Sequence, residues 1–364
     1  METPHLHKPE NKGRTHSLSF FCHSANALLL LLPAFIVIIC CTGRNQSQDI
    51  LLPETDVCMK LHVKAEHAQT ATAFKGNNMD IFIFNDDALR KIDSYQRTDA
   101  GDGMTVDAAS RKGPKIVTAI VNPQAESYEW NSISSFESVA GLYADLRMED
   151  PDSPLMSGMM HIMADDDSEY CMHVEPVLSE IYVRSIKCDF SGRPYSHAVM
   201  ENACAYLSNI NSLATVISDG DFTPAAPVNT DGYPYESMNS MLHPGMVYAE
   251  FGTDIGHDVL KPEIRLYCYP NSSEEDTAGT PFTRLVIAGD IEGNRYYYPI
   301  DINNGEFVME TGHSGIGRNC RYVFDIVIRQ TGVTDPSIPV SGETVVINGM
   351  IEPWNVLPET EIGF

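Results

Sequence analysis

Positive charge is scarce in this chain, which carries 24 lysine and arginine residues against 50 aspartate and glutamate residues. Nucleic-acid backbones and anionic membrane surfaces recruit proteins through concentrated basic patches. The formal net charge of -26 therefore argues against both as electrostatic partners, and we expect no nucleic-acid partner.

Recognisable catalytic and metal-binding motifs are also missing. The chain has no HExxH, no P-loop and no GxGxxG sequence. Residues 312–316 resemble a nucleophile elbow, but Ile316 stands where that motif requires a second glycine, so a turn is expected. The acidic run Asp165, Asp166 and Asp167 could supply oxygen ligands to calcium, although a solvated loop is its commoner meaning. These observations favour a protein that is not an enzyme and that holds no metal or cofactor.

Long apolar runs are lacking as well. Residues 27–39 form an apolar block that Pro33 interrupts, whereas a helix that spans a bilayer needs about 20 residues. A polar segment with scattered positive charges precedes the block, which is the plan of a secretory signal peptide. We therefore predict a signal peptide over residues 1–40 and export of the remaining chain.

The apolar block ends at two adjacent cysteines. Ile38 lies three places before Cys41 and the small residue Cys40 directly precedes it, an arrangement that resembles the lipobox of bacterial lipoproteins. Acylation of Cys41 would make residues 41–54 a lipidated tether and would anchor at least the precursor to a membrane. A signal peptide followed by two incidental cysteines is the alternative.

Alternation of apolar and polar residues dominates the rest of the chain. It predicts strands at residues 57–64, 79–84, 115–122, 169–177, 181–190, 198–208, 246–251, 263–269, 282–288, 295–302, 321–330 and 344–351, with a hairpin turn at 291–294. One helix is predicted at 136–146, where apolar residues recur at helical spacing. Residues 209–244 are rich in turn-forming residues and predict a domain junction. The pattern indicates two β-sandwich domains, at residues 55–210 and 211–364, without a parallel sheet.

Two further expectations concern single side chains. The cysteines that follow Cys41 have no CxxC spacing and lie mostly within apolar alternations, which favours buried thiols over disulfides. Trp354 follows Pro353, which cannot donate to a β-ladder, and we expect the tryptophan ring to cover a core edge at a strand end.

Several motifs occur in a recognisable order along the chain. They are residues 266–271 (LYCYPN), 283–287 (TRLVI), 297–300 (YYPI), 317–322 (GRNCRY), 332–336 (GVTDP) and 352–354 (EPW), preceded by 79–86, 156–158 (MSG) and 205–211 (AYLSNIN). This ordered set resembles the fimbrillin superfamily of Bacteroidetes, whose members are subunits of type V pili.

The resemblance implies two tandem transthyretin-like β-sandwich domains with few short helices, and export as a lipidated outer-membrane precursor. It also implies assembly into cell-surface fimbriae that support adhesion and biofilm formation. Subunits of this family join by β-strand donation after a trypsin-like protease removes the first strand, so other fimbrial subunits are the expected partners. Residues 79–95 are closer to minor or tip subunits than to the main stalk subunit.

Two alternatives remain open beside the minor or tip subunit. One is a fimbrial anchoring subunit that the membrane retains, and the other is a glycan-binding surface lipoprotein. Tyr296, Tyr297 and Tyr298 are the candidates for a sugar-binding platform, although core packing is favoured because strand alternation buries at least one of them.

The expected processing site departs from the family pattern. Stalk subunits usually carry an arginine just after the first strand, whereas Thr72 stands there in this chain. Lys75 is the nearest basic residue and is therefore a possible processing site. Retention of the first strand, with its lipid, is the alternative.

Overall fold

The computed structural model describes residues 56–65, 78–99, 105–124, 128–166, 168–217, 226–230, 244–273, 281–309 and 314–354. The predicted signal peptide at 1–40, the predicted tether at 41–54 with Cys41, and Lys75 lie outside these ranges. Leu52–Phe364 form one compact unit, and its described part is mostly β, as the sequence predicts.

The N-terminal strands build the first sandwich. They are β1 (Asp56–Ala65), β2 (Asn78–Asn85), β3 (Ile92–Asp99), β4 (Thr105–Arg111), β5 (Gly113–Val121), β6 (Tyr143–Asp145), β7 (Met156–Ala164) and β8 (Glu169–Pro176). All except β6 belong to one sheet in the order β3-β2-β5-β7-β8-β1-β4. The described pairs between β7 and β8 are Met156 with Pro176 and Ser157 with Glu175, so the sheet divides there into two layers.

The layers β4-β1-β8 and β3-β2-β5-β7 enclose an aliphatic core. Its buried members include Val57, Met59, Leu61, Val63, Met79, Ile81, Ile83, Val106, Val117, Val121, Met172 and Val174. Successive side chains of a strand point to opposite faces, so alternate apolar residues on each layer meet in this core.

Asp93 joins the two layers at their open edge. It lies on β3 and accepts hydrogen bonds from the Ser110 hydroxyl and the Arg111 backbone N–H of β4, at 2.7 and 2.8 Å. Lys115 Nζ lies 3.1 Å from the same carboxylate. Burial opposes ionisation of Asp93, but the hydrogen bonds outweigh burial and lower its pKa to about 2. The carboxylate is therefore charged at neutral pH and holds the two edges together.

The C-terminal strands build the second sandwich. They are β9 (Ser179–Cys188), β10 (Glu201–Ser208), β11 (Ile210–Asn211), β12 (Leu213–Thr215), β13 (Pro227–Val228), β14 (Tyr248–Glu250), β15 (Ile264–Cys268), β16 (Arg284–Ile291), β17 (Asn294–Asp301), β18 (Cys320–Ile328) and β19 (Val345–Pro353). Two four-stranded sheets have the orders β14-β10-β16-β17 and β15-β9-β18-β19, and β11-β13 and β12-β6 are short pairs. Their core contains buried side chains such as Val183, Leu207, Ile287, Tyr298, Tyr322 and Phe324.

Two pairings run parallel, which the sequence expectation did not include. They are β1 with β8 and β9 with β18, and both lie in sheets whose other pairings are antiparallel. No described sheet is wholly parallel.

The described helices are short. The two α-helices of the described chain are α1 (Phe136–Ala140) and α2 (Pro244–Val247), and single 3₁₀ turns lie at Trp130–Ser132, Leu146–Met148 and Gly305–Phe307. The helix predicted at 136–146 is therefore too long. The chain leaves the helix at Gly141 and enters β6, because pairing with β12 takes over the following residues.

The sheet pairing changes before the predicted domain junction. β9 and β10 fall within the range 55–210, yet their partners β14, β15, β16 and β18 all belong to the second sandwich. The predicted junction also contains ordered pairs, since β11 binds β13 and β12 binds β6. The boundary at residues 210 and 211, as a limit between independently folding units, stays a prediction that limited proteolysis can check.

Candidate assembly strand

The first strand occupies an interior position in its layer. β1 pairs antiparallel with β4, from Asp56 opposite Arg111 to His62 opposite Thr105. It pairs parallel with β8, from Lys60 opposite Glu169 to Ala65 opposite Val174. Its backbone groups are therefore engaged on both sides, and β4 and β8 are held apart by its width.

The inward face of β1 is a large part of the first core. Val57, Met59, Leu61 and Val63 are at most 4% exposed. Burying one such side chain is worth roughly 1.5–3 kcal/mol, so this strand contributes several kcal/mol to the sandwich. The contribution comes from apolar side chains at alternate positions of the strand.

The outward face of β1 makes weak, exposed contacts. Lys60 Nζ lies 3.6 Å from Glu169 Oε1, and both side chains are more than half exposed. His62 Nδ1 lies 3.0 Å from the Thr105 hydroxyl at the surface. Exposed pairs of this kind contribute little, so the outward face does not fix β1 in its place.

The two residues predicted from sequence to act in processing and anchoring lie on either side of β1. Cys41 precedes β1 and Lys75 lies between β1 and β2, and both fall outside the described residues. Arg90, the next basic residue, is described. It adopts φ 43° at the β2–β3 turn, lies over the Phe136 ring at 5.4 Å, and pairs with Glu137 at 3.9 Å.

Arg318 connects the two sandwiches and was not predicted from the sequence. Its guanidinium donates to the backbone oxygens of Glu175 at 2.7 Å, Ser157 at 3.1 Å and Pro176 at 3.1 Å. The side chain is 6% exposed, and its Nε lies 3.2 Å from Glu175 Oε1. The sequence held one indication of its importance, a positively charged residue within the GRNCRY motif of an otherwise acidic chain. The hydrogen-bond partners of Arg318 could not be inferred, because they lie more than 100 residues away in the sequence.

Trp354 lies where the sequence predicts it. β19 ends at Pro353, the Trp354 side chain is 4% exposed, and its ring centroid lies 5.7 Å from that of Tyr267. Its backbone N–H donates to Asn319 at 3.0 Å, which fixes the chain at the end of the sheet.

The three consecutive tyrosines do not form an exposed platform. Tyr298 is fully buried and its hydroxyl donates to the Gln330 backbone oxygen at 3.1 Å. Tyr296 packs on the same core, and Tyr297 packs on the opposite face of β17, both half-buried. Core packing is confirmed for Tyr298.

The cysteines and the acidic run at 165–167 are the remaining candidates from the sequence. All six described cysteines are free; Cys188, Cys204 and Cys268 are buried as predicted, whereas Cys58 and Cys171 are exposed. Asp165 pairs with Lys112 at 2.6 Å, and Asp167 lies outside the described residues. Within the described ranges, no three His, Cys, Asp or Glu side chains are grouped closely enough to hold a metal ion. No described helix has the length and apolar character needed to cross a membrane.

No family model matches the chain, and no curated protein matches it. Solved structures match its fold. A fimbrillin from Porphyromonas gingivalis has a TM-score of 0.62 at 14% identity, and the match covers 84% of this chain and 99% of that chain. A candidate cell adhesion protein from Parabacteroides distasonis has a TM-score of 0.61 at 12% identity, with 82% and 97% covered.

A third structure is the tip fimbrial protein of Porphyromonas gingivalis with a C-terminal truncation. Its TM-score is 0.50 at 9% identity, and the match covers 82% of this chain and 100% of that chain. All three matches extend over both sandwiches of the present structure. The chain therefore has the tandem β-sandwich fold of the fimbrillins.

Proposed function

We propose that this chain is a structural, non-catalytic subunit of cell-surface fimbriae, a minor or tip component assembled by strand donation from a lipoprotein precursor. The observation that carries the proposal is the fold likeness to a fimbrillin over 84% of the chain. The likeness to a tip fimbrial protein supports the minor or tip position. The expected partners are other fimbrial subunits, and the expected roles are adhesion and biofilm formation.

The placement of β1 suits strand donation. Loss of β1 would leave backbone groups of β4 and β8 facing a gap, and it would expose the core around Met59 and Leu61. Both defects are costly in water. A strand from a neighbouring subunit with apolar residues at alternate positions would repair both, because β1 itself contributes little beyond that pattern.

The positions of Lys75 and Cys41 define how such a gap would open. Cleavage after Lys75 would separate β1 from the rest of the chain without cutting any described strand. Acylation of Cys41 would keep the precursor at the outer membrane until that cleavage. A chain that escapes cleavage would remain lipidated and would serve as an anchoring subunit.

The N-terminus of the protein recovered from sheared fimbriae tests this proposal. We expect a start at Gly76 in the wild-type protein, and a precursor that is not incorporated in Lys75→Ala. Lys91→Ala is the matched control, since Lys91 is an exposed lysine beyond β2 and its loss should leave processing unchanged.

Acylation is tested separately by labelling with a palmitate analogue. Cys41→Ser should lose the label and normal surface delivery, while Cys40→Ser should keep both. An acylated Cys41 in the fimbriae would replace the tip assignment with an anchor. Absence of the protein from fimbriae, together with sugar binding in calorimetry, would overturn the fimbrial role in favour of a glycan-binding lipoprotein.

A further inference from the structure

A buried carboxyl group lies at the contact between the two sandwiches. Glu149 directly follows the 3₁₀ turn Leu146–Met148, seven residues before the start of β7, and it is 7% exposed. Tyr269 directly follows β15 of the second sandwich and is fully buried. Its hydroxyl donates to the Glu149 side chain, so this buried hydrogen bond links the two sandwiches in addition to those of Arg318.

The hydrogen bonds around Glu149 come from neutral donors. The Tyr269 hydroxyl donates to Glu149 Oε1 at 2.8 Å, and the Leu155 backbone N–H donates to Oε2 at 3.2 Å. Gln124 Nε2 lies 3.4 Å from the Tyr269 hydroxyl, and its amide also binds the backbone of Asp145. The cluster is therefore assembled from three separate segments of the chain.

The charges that face Glu149 do not compensate its own. Within the described ranges, no lysine, arginine or histidine forms an ion pair with it; the nearby Arg147 is paired with Asp145 on the solvent side. Asp150 adds a second negative charge beside it. Tyr128, from the segment before Trp130, contributes a buried hydroxyl that has no hydrogen-bond partner among the described residues. A carboxylate here would be a buried anion without a cation.

Burial therefore raises the pKa of Glu149 to about 7, despite the hydrogen bonds from Leu155 and Tyr269. Burial, together with the adjacent Glu149 charge, raises the pKa of Tyr269 well above its ordinary value, so the tyrosine stays neutral. Glu149 is thus the group of this cluster that changes charge near neutral pH.

We propose that Glu149 is a proton-controlled latch between the two sandwiches. In its protonated form it fits the dry contact with Tyr269 and keeps the contact closed. In its ionised form it requires hydration that the closed contact excludes, and the contact between Tyr269 and the 149–155 segment loosens.

The direction of the pH dependence follows from linkage. A carboxyl group with a raised native-state pKa binds a proton more tightly in the folded protein than in the unfolded chain. Its stabilising effect is complete below the ordinary pKa of glutamate and is lost as the pH rises through its native-state pKa. The folded protein should lose stability between mildly acidic and neutral pH, and should level off above that range.

Chemical unfolding of the full chain, followed by circular dichroism from about pH 5 to about pH 9, tests the latch. The wild-type unfolding equilibrium constant should rise by at least about tenfold over this range. Glu149→Gln keeps the shape of the side chain and one acceptor oxygen but cannot ionise, so it should abolish this rise. Glu129→Gln removes an exposed carboxylate from a nearby segment and should keep the wild-type profile.

A second variant separates a titration effect from a packing effect. Tyr269→Phe removes a donor that favours the carboxylate, so the loss of stability should move to higher pH. Hydrogen exchange, corrected for its intrinsic pH dependence, should show faster exchange of the Leu155 amide at about pH 8 than at about pH 6 in the wild type only. Equal pH profiles for the wild type and Glu149→Gln, or a flat wild-type profile, would overturn the proposal.

Discussion

β1 and β9 hold equivalent places in the two sandwiches but are attached very differently. Each has ten residues, and each lies between one antiparallel and one parallel neighbour. For β1 these neighbours are β4 and β8, and for β9 they are β15 and β18. The inward faces are alike, because both bury aliphatic side chains in a sandwich core.

The outward faces differ. Lys60 and its partner Glu169 on the first sandwich are largely exposed. On β9, the Glu180 carboxylate is buried and lies 3.3 Å from Arg265 and 3.1 Å from Arg321. Both guanidinium groups also lie over the Tyr182 ring, at 5.1 and 4.5 Å. β9 is thus held by specific polar contacts on its outward face in addition to the apolar burial of its inward face.

The C-terminal end of β9 is also held through its backbone, with the Cys188 N–H donating to the Gly256 backbone oxygen and the Asp189 N–H donating to that of Ile328, each at 2.7 Å. Strand position alone therefore does not decide whether a strand can be exchanged. Generic apolar burial on one face suits a replaceable strand, while specific polar contacts on the other face suit a permanent one.

The largest effect is expected for Trp354→Ala, which damages the sheet that contains β9. Truncating a buried tryptophan typically costs about 3–5 kcal/mol, a large part of the stability of a single domain. We expect the second sandwich to unfold at lower denaturant concentration. Trp130 stacks on Phe82 at 5.7 Å in the first half of the chain, so its fluorescence reports that half in this variant.

Circular dichroism and Trp130 fluorescence should then give separate transitions if the sandwiches unfold independently.

Deleting residues 359–364, which lie outside the described ranges, should leave the monomer folded and affect assembly at most. A Trp354→Ala protein as stable as its parent would contradict the role of this ring in covering the core edge.

The second effect is expected for Leu61→Ala on β1. Leu61 is fully buried, and such a truncation costs about 2–5 kcal/mol. Because this face packs β1 into the core, beside the backbone pairing with β4 and β8, the variant should also release β1 more readily after cleavage of the 66–77 segment. Size-exclusion chromatography of the cleaved protein measures that release. Unchanged release of β1 from Leu61→Ala would show that contacts other than the core hold the strand.

The sequence predicts the strands whose alternation reflects burial on one face, and it places the β16–β17 hairpin correctly. That hairpin turns at Glu292 and Gly293, which both adopt positive φ, at 49° and 77°. Such a turn matches the twist of antiparallel strands. Trp354 was predictable for a related reason, since Pro353 marks the end of strand pairing.

Of the strands that sequence patterning misses, β3 and β7 are stabilised by other means, whereas β4 does alternate between exposed and buried residues. β3 has the sequence IDSYQRTD and is ordered through polar contacts: Asp93 binds β4, and Arg97 binds the buried Asp80 of β2. β7 is rich in methionine, which has no marked strand preference, and its pairing with β5 determines its conformation. The contacts of Arg318 and Glu149 could not be predicted from the sequence for a different reason. Their hydrogen-bond partners Ser157 and Tyr269 lie more than 100 residues away along the chain.

A smaller effect is expected for Glu180→Gln on the outward face of β9. The substitution keeps the shape of the side chain but removes the charge that Arg321 and Arg265 share. Leaving the guanidinium of Arg321, whose side chain is only 12% exposed, without this counter-ion should cost about 2 kcal/mol. Denaturant unfolding measures this cost, and weak dependence on salt is expected because the pair is shielded from solvent. A cost close to zero would remove the distinction between the two outward faces.

The smallest effect is expected for Lys60→Ala, the matched change on the outward face of β1. Lys60 and Glu169 are paired directly across β1 and β8, but their side chains are 54% and 59% exposed. An ion pair in this setting contributes at most about 1 kcal/mol, and salt screens most of that. A double-mutant cycle with Glu169→Gln isolates the pair from the neighbouring His62, which lies 3.7 Å from the same carboxylate. If the coupling energy equalled or exceeded the cost of Glu180→Gln, β1 would be held on both faces as firmly as β9, and a strand held so firmly would be a poor candidate for exchange.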